Sequence, residues 1–70
     1  MPEIVTEEIP ESLAGERLDR VVSLIAEISR SDAAITIASG AVQLDGAIAT
    51  TGKLRLKAGQ VVSVDLSKLP

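Results

Sequence analysis

The chain contains no phenylalanine, tyrosine or tryptophan, and no cysteine or histidine. Within 70 residues that absence leaves few ways to fold. A chain this short buries only about 60% of the surface its unfolded form exposes. No disulfide, and no metal held by Cys or His, can supplement such a core. The core must therefore be aliphatic, and the hydrophobic content of 46% is enough for one and argues against disorder. One domain is the upper limit. A carboxylate-only calcium site is not favoured, because Asp32, Asp45 and Asp65 are scattered and no stretch resembles a calcium loop. No metal and no cofactor is expected. No apolar run approaches a membrane span, and the N-terminus lacks the basic-then-apolar pattern of a secretory signal. With Met1 read as a natural start, a cytoplasmic location is expected.

Hydrophobic periodicity divides the chain into helices followed by strands. Residues 3–9 read as an extended segment that Pro10 ends, because a residue before proline is pushed toward extended geometry. Leu13, Ala14 and Gly15 form a loop. Leu18, Val21, Val22, Ile25 and Ile28 then recur at helical spacing, which predicts a helix from about Arg17 to Glu27. Ser29 is placed to cap a second helix, with Asp32 at the position that can return the bond. That helix runs from Arg30 to about Ser39, turns Ala33 and Ile37 toward the first, and ends at Gly40. Strands follow. Val42 and Leu44 alternate with Gln43, Asp45-Gly46 signals a two-residue hairpin turn, and Ala47 to Thr50 is the return strand. Leu54 and Leu56 alternate with Arg55 and Lys57, and after Ala58-Gly59 a last strand carries Val62, Val64 and Leu66. The expected class is α+β: two short packed helices on one face of a small, mostly antiparallel sheet, with the N-terminal segment paired to the last strand.

The charge is unevenly distributed. The net value is -3, yet residues 1–16 hold five acids (Glu3, Glu7, Glu8, Glu11, Glu16) and no base. Residues 17–70 hold seven bases and five acids. An acidic leader thus precedes a mildly basic body, and a net-acidic chain can still present a basic patch to phosphates.

The ordered set Arg17-Leu18-Asp19, Ser29-Arg30, Ala33, Ile37, Gly40, Val42, Asp45-Gly46 and Gly59 resembles the RNA-binding domain named after ribosomal small-subunit protein four, the alpha-L motif. The resemblance covers roughly residues 15–66, leaving 1–14 as an extended leader and 67–70 as the start of a linker. Ile9-Pro10, Leu13, Gly15 and Arg17-Leu18-Asp19-Arg20 further resemble the start of large-subunit ribosomal RNA pseudouridine synthases of the D type. In that family the module precedes a larger catalytic domain. The resemblance therefore implies structured ribosomal RNA and a covalently linked catalytic domain as partners, with no chemistry in this chain. Asp19 lies in a triplet similar to the one around the synthases' nucleophile. Its place at the opening of a helix reads instead as a surface acid pairing with Arg20 or Arg30.

In the resembled family the outer face of the two helices and the hairpin lies against folded RNA. Arg30 is the first candidate contact, in the first turn of a helix whose free amides add positive potential. The competing reading is an ion pair with Asp19 or Glu27. Arg17 and Arg20, three apart on the first helix, reach adjacent phosphates or merely solubilise it. Arg55, Lys57 and nearby Lys53 project from a strand face that either touches RNA or is simply solvated. Without aromatic rings there is no stacking platform for single-stranded bases, which favours recognition of structured RNA through backbone and shape.

The chain departs from the family pattern at several positions. Ala34, Ile35, Thr36, Ala38 and Ser39 occupy exposed or half-exposed helix positions where bases and a leucine are usual. Ala41 stands where a base is common, Asp45 replaces an Asn and Gln60 an Asp. Fewer phosphate contacts imply weak binding by the isolated domain. The alternatives are a freestanding small RNA-binding protein and a protein-interaction module with weakened RNA contact. An enzyme in its own right lacks His, Cys, a paired-carboxylate signature and a glycine-rich phosphate loop.

Overall fold

The computed structural model describes residues 3–69. Met1, Pro2 and Pro70 lie outside the described residues, and with them the first residues of the expected leader and the last of the expected linker. The order of elements is β1 (Ile4–Glu8), a 3-10 turn (Glu11–Leu13), α1 (Leu18–Ala26), α2 (Arg30–Ala38), β2 (Val42–Leu44), β3 (Ala47–Ile48), β4 (Val61–Asp65) and a second 3-10 turn (Leu66–Lys68). The strands form one sheet in the order β1-β4-β2-β3, and each neighbouring pair is antiparallel. The N-terminal segment does pair with the last strand, in a register that sets Val5 opposite Val64 and Glu8 opposite Val61.

The α+β class follows from where the apolar side chains meet. Leu18, Val21 and Val22 of α1, Ala33 and Ile37 of α2, and Val42, Val62 and Val64 of the sheet are buried together. Ile9, Ala49 and Leu56 join them from connecting segments. Each large aliphatic buried this way is stabilising by about 1.5–3 kcal/mol relative to exposure.

Both helices end through backbone hydrogen bonds. The Ser29 hydroxyl caps α2 by accepting from the Asp32 amide at 3.0 Å, although the reciprocal bond, from the Ser29 amide to the Asp32 carboxylate, is not made. At the other end of α2, the Gly40 amide donates to Ile37 O and the Ala41 amide to Thr36 O, with Gly40 in the left-handed region. That is the paired bonding of a glycine-terminated helix. α1 stops at Glu27, a non-glycine residue with φ 56°.

Three expectations need correction. The return strand is shorter than Ala47–Thr50: it comprises Ala47–Ile48, and Ala49, whose amide still donates to Val42 O at 2.9 Å, turns its side chain into the core. Leu54–Lys57 is not a sheet strand. Its one sheet-like pairing among the described residues is the bridge between Arg17 and Arg55, because backbone groups of this stretch serve the segment that leads into α1. Leu54 O accepts from the Leu18 amide at 2.8 Å and Gly52 O from the Asp19 amide at 3.1 Å. α1 has no side-chain cap, so these carbonyls satisfy amides that would otherwise lack partners. Lastly, Thr36 is buried rather than exposed or half-exposed, and its hydroxyl donates to Asp32 O at 2.8 Å; Ala41, where the resembled family commonly has a base, is buried too.

Candidate nucleic-acid interface

The extended segment before α1 and the 52–56 segment run side by side, joined by bonds from the Gly15 amide to Leu56 O and from the Leu56 amide to Glu16 O. This pairing places Arg17, Asp19, Gly52, Lys53 and Arg55 in one neighbourhood, to which Arg30 reaches from the first turn of α2. Arg17 Nη2 donates to Asp19 Oδ2 at 2.8 Å, and Arg30 Nη2 donates to Asp19 Oδ1 at 3.3 Å. Asp19 thus uses both carboxylate oxygens to hold two guanidinium groups. Its side chain is only 10% exposed, against 38% for Arg17 and 54% for Arg30.

Asp19 is therefore not the surface acid expected from sequence, and its partners are Arg17 and Arg30 rather than Arg20. The backbone makes room for it: a Cβ on Gly52 would lie 2.7 Å from Asp19 Cβ, closer than real contacts allow. Burial pushes the Asp19 carboxyl up. Hydrogen bonds from Arg17 and Arg30, the charge of Arg17 and the Arg20 backbone outweigh it, so the carboxyl sits below its ordinary value. The carboxylate is covered but not deep, and its partners reach solvent, so the two cations prevail.

The other candidates are placed differently. Arg17 precedes α1 in extended geometry, so it does not share a helix face with Arg20. Arg20 Nε meets Glu16 Oε1 at 3.3 Å. Arg55 Nη1 donates to the Gly15 carbonyl at 3.0 Å and has no carboxylate partner among the described residues. Lys53, next to Gly52, and Lys57 are exposed and form no ion pair among the described residues. The Lys57 amide donates to Gln60 Oε1 at 2.7 Å, which ties it to the turn before β4. Arg17, Arg20 and Arg30 thus do not stand free on one outer wall: each meets a carboxylate.

Sequence reasoning considered the Arg30–Asp19 pair but missed Asp19 as a shared, buried hub and Gly52 as the residue that admits it. The only sequence signal was a glycine beside a lysine-arginine run. Its meaning depends on a contact across more than thirty residues of chain.

The arrangement gathers no metal-ligand set: no three or more His, Cys, Asp or Glu side chains that could hold a metal come together among the described residues. It does preset two guanidinium groups. Each has five N–H donors, of which few are used here, and roughly half of the Arg30 side chain faces solvent. No family model matches the chain, and no curated protein matches it in sequence. No helix among the described residues is long and apolar enough to cross a membrane.

Proposed function

We propose that this domain is an RNA-binding accessory module of the alpha-L kind, without chemistry of its own, that positions a pseudouridine synthase domain on structured large-subunit ribosomal RNA in the cytoplasm. The observation that carries this reading is the convergence of Arg17 and Arg30 on Asp19, with Arg55 on the segment paired to Arg17. A guanidinium already fixed by a carboxylate loses little freedom on meeting a phosphate, and its unused donors match phosphate geometry. The same pairing cancels part of the charge. Affinity is accordingly weak and its salt dependence shallow for the number of bases present. Contacts of this type orient a protein on a backbone and carry little sequence code. A tethered module raises the local concentration of its catalytic partner on the RNA without needing high affinity.

The experiment is a titration of a structured ribosomal RNA hairpin at about 0.05 and about 0.2 M salt, with Arg17→Ala and Arg30→Ala beside the parent. We expect salt-sensitive binding that each variant weakens by about fivefold, a loss of roughly 1 kcal/mol. Unchanged binding in both variants removes the proposed surface. No binding at low salt shifts the reading to a protein-interaction module, which the exposure of Ile35 on α2 favours. Reading the gene onward from Pro70 separates an accessory module, followed by a sheet-rich domain, from a freestanding RNA-binding protein.

A further inference from the structure

α1 has two flanks beside its buried stripe of Leu18 and Val22. Asp19 and its arginines occupy one, and at 100° per residue Leu24 falls on the other. There Val21, Leu24 and Ile25 face Ile9, Pro10 and Leu13 across a groove of about 220 Å3, with Glu7 and Glu8 completing its lining. The groove floor is aliphatic, and Leu24 remains 55% exposed. Its rim is acidic: Glu7 and Glu8 are exposed, Glu11 follows Pro10 of the lining, and Glu3 adds charge at the far end of β1. None of these four glutamates forms an ion pair among the described residues, whereas Glu16 is neutralised by Arg20.

We infer that this groove is a docking site for a basic, amphipathic segment of a protein partner, one that inserts an aliphatic side chain and sets lysines or arginines against Glu7 and Glu8. The volume lies below the roughly 300 Å3 at which small-molecule pockets begin, which suits a side-chain anchor better than a metabolite. Unpaired carboxylates around an apolar floor steer cationic partners and reject acidic ones. A second copy packed about a two-fold axis does not meet that requirement, since it would bring its own Glu7 and Glu8 against the same rim. The site is independent of the arginine cluster and lies on the opposite flank of α1, so the domain can hold RNA and a basic protein segment at once.

The test is chemical-shift mapping of the 15N-labelled chain with three synthetic peptides of about twelve residues. One repeats leucine and lysine at helical period, the second leucine and glutamate, the third lysine and serine. We expect only the leucine–lysine peptide to shift amides within 7–13 and 21–25. Its Kd should weaken by about fivefold when salt is raised from about 0.05 to about 0.5 M. Leu24→Arg and Glu8→Lys, both at exposed positions, should each weaken it by about fivefold or more while the thermal midpoint stays in place. The proposal is overturned by shifts that fall elsewhere, by comparable binding of either control peptide, by an absence of binding at about 1 mM peptide, or by full retention in both variants.

Discussion

A carboxylate that is 10% exposed and lies between two guanidinium groups is held in its charged form. Asp19 is such a group, and its lowered proton affinity in the fold makes it a stabilising element whose contribution depends on pH. The contribution is fully present above the ordinary carboxyl value of 3.8 and is lost as the pH falls through the lower folded value. Replacing it by Asn leaves Arg17 and Arg30 without their anion. Both arginines can partly rehydrate, so the expected cost at neutral pH is about 1–2 kcal/mol. Urea denaturation followed from pH 7 to pH 2 should show the parent and Asp19→Asn curves converging at the acid end. A constant gap across that range rules out the ionic role. This residue also marks where the sequence was hard to read. Its neighbours in the chain suggested an exposed helix opening, and its environment is set by Gly52 and by Arg30, neither of them local.

At the scale of elements, legibility followed how local each determinant is. The stripe of Leu18, Val21 and Val22, the Ser29 cap, the Asp45-Gly46 turn and the Gly40 terminus each depend on residues a few positions apart, and both helices and the hairpin formed where expected. Leu54–Lys57 carries the same alternation as a strand, yet Leu54 O, with Gly52 O just before it, goes to an uncapped amide of α1, a demand that alternation does not encode. The end of α1 offers a direct test. Glu27 adopts a left-handed backbone that costs an L-residue about 1–2 kcal/mol, and its side chain is exposed. Glu27→Gly should therefore stabilise the domain by about 1 kcal/mol. Differential scanning calorimetry should show the midpoint rising by about 4–8 °C, and a fall would mean that the Glu27 side chain has an unrecognised role.

For the whole molecule, the lack of rings leaves the core to medium-sized aliphatics, each of which carries a sizeable share of a small total. A domain of this size holds about 4–10 kcal/mol of stability. Leu56 lies outside every helix and strand, yet it is 1% exposed and packs with residues of both helices and the sheet. Leu56→Ala should cost about 3 kcal/mol, which lowers the urea midpoint by about 1–3 M. A loss under about 1 kcal/mol would mean that the core closes over the gap. The same scale shows why the site was less legible than the fold: burial patterns repeat along the chain, whereas the pairing of each arginine depends on how distant segments settle.

The strand translated last stands in the middle of the sheet. With β4 between β1 and β2, a nascent chain that has passed Ile48 owns a β2–β3 hairpin and a β1 that share no strand partner. Only when Val61–Asp65 clears the ribosome do the two pieces share a partner. Premature termination would therefore yield no smaller folded version of this domain, only an unzipped polypeptide with its valines in water.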